Sequence, residues 1–335
     1  MKNPLISIVM PAKNTALFLE ECLDSILSQT YTNWELLVVD DNSTDKTFDI
    51  LTDFSKKDKR IQVFKNMGNG IIDALRLAYS KSKGDFVSRM DADDVMAPIK
   101  LETMLTALQT SGTGFLATGL VSYFCDGEIG GGFKKYEDWL NGLTRLGNNF
   151  DEIYKECVIP SPCWMSYVSD FEKSGAFNPD IYPEDYDLVF RFKAAGLTCL
   201  PSDKVLHYWR DYSTRTSRTD PNYADSSFID IKLSYFLKSD YQKNKKLVVW
   251  GAGKKGKHVA ELLVENKVDF QWICDNPKKI GKDIYGQKLL PFEALDTISN
   301  SQIIVTVANE NAQQQIIAFF EQRNKKAMED YFFFC

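Results

Sequence analysis

The chain lacks a basic excess. Its 40 Lys and Arg stand against 46 Asp and Glu, a formal net charge of −6 over 335 residues. Nucleic-acid affinity depends on clustered cations that neutralise phosphates, so that function class is excluded. Ordered cysteine spacing is also missing. The seven cysteines, at positions 22, 125, 157, 163, 199, 274 and 335, form no pair with metal-site or redox spacing and read as reduced core residues of a cytosolic protein. The N-terminus has no basic-then-apolar leader pattern. No apolar run approaches the ~20 residues that cross a bilayer, which predicts at most peripheral contact at the inner face of a membrane. Tandem repeats and low-complexity tracts are absent from the sequence.

What is present is strand–helix alternation. A hydrophobic content of 44% is ordinary for a globular chain, and the length suits two domains. Leu5–Met10, Trp34–Val39, Ile61–Phe64 and Phe86–Val87 read as buried strands. Helical spacing follows each of the first three: Phe18, Leu19, Cys22, Ile26; then Phe48, Ile50, Leu51 behind a cap at Ser43 or Thr44; then Ile71, Ile72, Leu75, Ala78 after Asn69-Gly70. This pattern predicts a doubly wound α/β sheet, whose ligands bind beyond the carboxyl ends of the strands. Gly130–Gly132 reads as a turn, Tyr136–Leu146 and 221–238 as helices, and the polar tract 239–246 as a linker between domains at 1–240 and 245–335.

Three polar turns fall at predicted strand ends: Pro11–Asn14, Asp40–Ser43 and Asp91–Asp94. The last packs three carboxylates into four residues. Their repulsion has two ready answers. One is a hard divalent cation, Mg²⁺ or Mn²⁺, shared with a substrate diphosphate. The other is capping of the helix that carries Leu101, Met104, Leu105 and Leu108. Spacing alone leaves both open, and the convergence of the three turns favours function.

Five ordered blocks, ISIVMPAKN (6–14), ELLVVDDNSTDKT (35–47), NGIIDALRLA (69–78), GDFVSRMDADD (84–94) and YPEDYDL (182–188), resemble the family 2 glycosyltransferases over roughly residues 5–218. The resemblance implies a GT-A nucleotide-diphospho-sugar transferase domain, α/β with a doubly wound mixed sheet. It implies an inverting enzyme that moves a sugar from a nucleotide-sugar donor, UDP-linked for preference, to a hydroxyl of a surface-glycan or lipid-linked saccharide. Pro11, Ala12 and Asn14 would line the nucleotide pocket together with Gly70. Asp41, or its neighbour Asp40, would accept the base N–H, which suits an imide. Lys13 stands where relatives often carry an aromatic. Asp91 and Asp93 would form the metal motif, with Asp91 and Ala92 against the donor, Asp93 as direct ligand and His207 completing the sphere. Asp185, flanked by Glu184, would be the base. Arg210, in the cationic stretch 207–218, would grip the diphosphate.

The 245–335 segment restarts the rhythm. Gly251, Gly253 and Gly256 form a GxGxxG between a strand run (Leu247–Trp250) and a helix, and Asp275 lies 24 residues past Gly251. This resembles small Rossmann-like α/β domains appended to sugar-modifying enzymes. Its expected roles are assembly, as in a homodimer, or nucleotide binding. A non-catalytic nucleotide-sugar sensor working through this turn is the alternative to the enzyme reading. A nucleotidyltransferase is disfavoured because PAKNTALF lacks a glycine-rich loop, and an NAD oxidoreductase because no substrate lobe is in view.

Overall fold

The computed structural model describes residues 3–335. They pack into two compact units. One comprises the residues up to Phe150 with Val158–Arg218, and the other comprises Asp151–Cys157 with Thr219–Cys335.

The first unit is built on β1 (Ile6–Ala12), β2 (Trp34–Asp40), β3 (Ile61–Lys65), β4 (Phe86–Arg89), β5 (Val95–Met96), β6 (Phe115–Thr118), β7 (Leu120–Phe124), β8 (Trp164–Tyr167), β9 (Thr198–Leu200) and β10 (Val205–Arg210). Its helices are α1 (Leu19–Leu27), α2 (Thr47–Lys57), α3 (Ile71–Ser80), α4 (Lys100–Ser111), α5 (Gly131–Leu146), α6 (Val168–Lys173) and α7 (Glu184–Ala194). The seven-stranded sheet runs β3-β2-β1-β4-β8-β6-β9. β1 to β4 pair in parallel, whereas β8 is antiparallel to both β4 and β6, so the sheet is mixed.

Sequence periodicity explains this layout. Every residue of β2 is buried, as a central strand covered on both faces requires. In α1 the buried positions Leu19, Cys22, Leu23 and Ile26 make one helical stripe. That stripe joins Leu51 of α2 and Leu101, Met104 and Leu105 of α4 in a single core against Ile8, Met10, Leu36 and Val38. The opposite face is aromatic: Phe171 of α6 lies 4.9 Å from Tyr79 of α3 and 5.5 Å from Trp164 of β8. Layers on both faces make the sheet doubly wound.

Local details depart from the sequence-based expectations. α2 is not capped by Ser43 or Thr44. Asp45 Oδ1 accepts the Thr47 N–H instead, while the Ser43 hydroxyl accepts the Asn14 N–H. Gly131 and Gly132 lie inside α5, whose N-cap is Gly130. The 239–246 tract is also no free linker. Ser239 and Asp240 end a π-helical turn, Gln242 N donates to Gln302 Oε1, and Lys245 pairs with Asp330, all contacts within the second unit.

A three-stranded sheet, β5-β10-β7, completes the first unit. β10 pairs antiparallel with β5, placing His207 opposite Met96 and Tyr208 opposite Val95. Because β5 follows the acidic turn directly, this pairing carries the end of β10 onto that turn.

A short helix, α8 (Thr216–Thr219), ends the first unit, and the second contains α9 (Asp225–Tyr235), β11 (Lys246–Trp250), α10 (Lys254–Glu265), β12 (Phe270–Cys274), β13 (Asp283–Ile284), β14 (Gln287–Pro291), β15 (Ser301–Val305), α11 (Glu310–Glu321) and β16 (Tyr331–Phe333). Its sheet order is β13-β14-β12-β11-β15-β16, parallel except at the β13 edge. Gly251 has φ +122°, and a Cβ on Gly256 would fall 2.2 Å from the Gly251 carbonyl oxygen. Gly256 is therefore required for the close approach of α10 to β11, whatever else the turn does. Ala ordinarily gains about 1 kcal/mol over Gly in a helix. Here the clash outweighs that gain, and Gly256→Ala should cost about 1–3 kcal/mol, read by calorimetry as a lower melting transition. An unchanged or raised melting temperature would count against this packing.

Candidate active site

The site lies within the first unit, at the carboxyl ends of β1, β2 and β4. The parallel register sets Ala12 beside Asp40, and the Asp41 N–H donates 2.8 Å to the Ala12 carbonyl. The two acidic residues after β2 then diverge. Asp41 is gripped from three sides: Lys13 Nζ reaches Oδ2 at 3.0 Å, Asn66 Nδ2 reaches Oδ1 at 2.7 Å, and the Gly70 N–H meets Oδ1 and Oδ2 at 3.0 and 3.2 Å. Asp40 is buried, and its Oδ1 has no hydrogen-bond partner among the described residues. Asn14, in left-handed conformation at φ 52°, clasps the loop after β2 by accepting the Thr44 N–H at 2.8 Å. Pro11, Ala12, Asn14, Asp40, Asp41 and Gly70 are thus brought together, and Lys13 joins them by turning toward Asp41. Asn66, which closes this cluster from the end of β3, carried no sequence signal beyond its place after a predicted strand.

The acidic turn 91–94 does not cap a helix. β5 intervenes, and α4 begins only at Lys100, with Ile99 as its N-cap and no side-chain cap. Each carboxylate has its own partners. Asp91 Oδ1 accepts from Arg89 Nε at 2.9 Å. Asp93 Oδ2 accepts from the Tyr212 hydroxyl at 2.8 Å, and the Asp93 carbonyl accepts from Arg210 Nε at 2.8 Å. Asp94 is fully buried and takes the Arg210 N–H on Oδ1 at 2.8 Å and His207 Nε2 on Oδ2 at 3.0 Å. Burial, then the neighbouring Asp94 charge, pushes the Asp93 carboxyl up to about 6. Burial also raises Asp94, against the pull of Arg215.

His207 is occupied elsewhere than expected. Its Nε2 is committed to Asp94 and its Nδ1 lies 3.4 Å from Lys100 Nζ. It therefore does not present a ring nitrogen to Asp93. Burial and the Lys100 charge hold the imidazole well below its usual range. A neutral ring accepting at Nδ1 carries its proton on Nε2 and donates to Asp94. Lys100 itself is buried, donates to the Pro162 carbonyl, and is lowered by desolvation. Arg210 lies not on open solvent but between the rings of Phe18 and Phe124, 4.7 and 4.4 Å from their centroids, and its guanidinium reaches Glu21.

A divalent cation fits this turn by donor chemistry. Asp91 and Asp93 supply hard oxygens, and Asp93 is raised by burial first and by the Asp94 charge second, both of which a bound cation would offset. No group of three or more ligating side chains is preassembled among the described residues. Mg²⁺ and Mn²⁺ sites that use one or two carboxylates and borrow the remaining oxygens from diphosphate and water need none.

Glu184 and Asp185 are the first two residues of α7. Asp185 Oδ1 accepts the Tyr186 N–H at 2.8 Å, and desolvation followed by the Glu184 charge raises its carboxyl to about 7. Glu184 is buried and meets Arg89 Nη1 at 3.0 Å. Arg89 thereby links α7 to the acidic turn. The sequence flagged it only as the residue that opens RMDADD.

The remaining residues singled out by sequence belong to the second unit. Gly251, Gly253 and Gly256 form the turn from β11 into α10, and Asp275 is exposed just past β12. Lys279 Nζ donates to the Ala252 carbonyl at this turn.

A family model described as glycosyl transferase family 2 matches residues 7–175. An uncharacterized glycosyltransferase of Haemophilus influenzae is 32% identical over 249 residues, covering 71% of this chain and 76% of that protein. Several other curated relatives are longer, and their matches to this chain cover 34–38% of their length. Among solved structures, Staphylococcus aureus TarS 1–349 in complex with UDP-GlcNAc superposes with a TM-score of 0.55 at 17% identity, over 77% of this chain and 71% of that fragment. The mannosyltransferase PcManGT of Pyrobaculum calidifontis, in complex with GDP-Man and Mn²⁺, gives 0.51 at 19% identity, over 70% of this chain and 64% of that one. At these identities the structural likeness speaks to the fold alone. Among the described residues no helix is long and apolar enough to cross a membrane.

Proposed function

Because the chain belongs to glycosyl transferase family 2, we propose that it moves a sugar from a UDP-linked donor to a saccharide hydroxyl, with inversion and in a single displacement. The acceptor is a surface-glycan or lipid-linked saccharide. The observation that carries this reading is the gathering, within one unit, of the Asp41 cluster, the Asp91–Asp93 pair and Asp185, from blocks far apart in sequence.

Each group has a role that its surroundings support. Asp41 Oδ1 takes Asn66 Nδ2 and the Gly70 N–H, and Oδ2 takes Lys13 Nζ and, at 3.2 Å, the same Gly70 N–H, so a base N–H reaches Oδ2 by displacing the half-exposed Lys13 ammonium. One N–H next to a carbonyl is what the imide edge of uracil offers. Guanine presents two adjacent donors and is less well matched. Asp91 and Asp93 hold Mn²⁺ or Mg²⁺ together with the donor diphosphate. When bound, that cation neutralises charge on the departing nucleoside diphosphate. Asp185 accepts the acceptor hydroxyl proton as the oxygen attacks the anomeric carbon, and its raised affinity for protons suits that task. Arg210 and Tyr212 hold the acidic turn from the β10 side.

Thermal shift tests the donor. A nucleotide at one hundred times its dissociation constant stabilises the native state by about 2.7 kcal/mol. UDP with Mn²⁺ should raise the melting temperature by several degrees, and GDP with Mn²⁺ by less. A larger shift with GDP would overturn the base assignment, and no shift with any nucleotide would overturn the donor reading.

A further inference from the structure

We infer that Arg89 is a positioning residue that ties the donor-side acidic turn to the helix bearing the base, through one guanidinium shared between Asp91 and Glu184. The inference rests on the transferase reading above and extends it to a residue with no assigned role. Arg89 is the last residue of β4, and only 4% of its side chain is exposed. Its Nε donates to Asp91 Oδ1 at 2.9 Å and its Nη1 to Glu184 Oε1 at 3.0 Å. The two carboxylates are themselves well covered, with side-chain exposures of 18% and 7%.

Three physical points follow. A buried arginine is costly unless its donors are satisfied, and these carboxylates satisfy it on two separate edges. The guanidinium is planar and rigid, so two edges bonded to two elements fix the distance and angle between them. A lysine ammonium at this position has the charge without the fork. Glu184 precedes Asp185 in the first turn of α7, so whatever anchors Glu184 sets where the base stands relative to the acidic turn. Asp91 has Oδ1 committed to Arg89, which ties the acidic turn to the same guanidinium. Misplacing a reacting group by about 1 Å can cost on the order of 100-fold in rate. Arg89 therefore acts on turnover rather than on donor capture.

The test is steady-state release of UDP from whichever UDP-sugar the wild-type chain turns over, with UDP–Mn²⁺ affinity measured by calorimetry. The variants are Arg89→Met, Arg89→Lys, Glu184→Gln and the double variant Arg89→Met/Glu184→Gln. Arg89→Met should lower kcat about 100-fold while the UDP affinity changes less than about fivefold. Arg89→Lys should keep near wild-type melting yet remain at least about tenfold down in kcat. The double variant should be no slower than Arg89→Met alone, because the bond that Glu184→Gln weakens is one of the two that Arg89→Met already removes. Arg89→Lys with full kcat, or additive losses in the double variant, would overturn the shared-fork assignment. So would Arg89→Met losing melting temperature alone with its folded fraction fully active. An inactive wild type that binds no nucleotide would instead overturn the donor reading, and this inference with it.

Discussion

Asp185→Asn should leave UDP–Mn²⁺ affinity within about twofold of wild type and lower transfer by about 10²–10⁴-fold, the span that a positioned base contributes. The amide keeps the shape of the side chain and its bond from the Tyr186 N–H. What it loses is the capacity to take a proton. The pH dependence has a definite sign. Desolvation and the Glu184 charge favour the protonated acid and lift its titration to about 7. Below that pH the carboxyl carries a proton and cannot accept another, so kcat should fall about tenfold per pH unit. Above it kcat should level off. An ordinary exposed aspartate would put the same limb some three units lower, near 4. The measurement is kcat from pH 5 to 9 for the wild type, with binding followed in parallel. An Asn variant that transfers at the wild-type rate would remove Asp185 from the mechanism.

Asp93→Asn should abolish the stabilisation that Mn²⁺ adds to UDP binding and lower turnover by at least about 100-fold. Chelation of the metal should do the same to the wild type. The ligand-free variant should meanwhile hold or gain thermal stability. Asp93 is desolvated and lies beside Asp94, and a neutral amide ends both the burial penalty and the repulsion that the folded chain otherwise bears. Gain in the free chain and loss in the liganded one separate a cation site from a structural carboxylate, whose removal would destabilise both. If Asp93→Asn showed an undiminished Mn²⁺-dependent shift with UDP, the cation would be bound elsewhere.

Much of this was legible in the sequence because its signals are local. The buried run Trp34–Val39 and the stripe Leu19, Cys22, Ile26 each encode one element. The acidic and polar residues that close the first two strands and follow the fourth are visible because a parallel sheet puts such residues at a common edge. The doubly wound first unit and the position of the Asp91–Asp94 turn follow from that reading. The local signal misled at the cap of α2, where Ser43 and Thr44 are good candidates by type but both turn to Asn14, leaving Lys46 as an N-cap with no side-chain cap bond. It misled again at Gly130–Gly132, where tertiary packing of Leu140, Leu143 and Thr144 carries a helix across residues of poor propensity.

By itself, then, the sequence determined which residue types stand at the strand ends and in what order, since periodicity and residue chemistry are properties of short stretches. Only the tertiary structure decided what each of those residues does. It gave His207 to Asp94 rather than to the Asp91–Asp93 pair. It set Tyr212 on Asp93 across 119 residues, and Arg89 on Glu184 across 95. Such pairings come from long loop closures, from the pairing of β5 with β10 and from the reach of one side chain, Arg89, from β4 to α7. Loop-closure entropy changes slowly with chain length, so separation in sequence neither predicts nor forbids them. Their geometry is set by packing, which no short stretch of sequence contains.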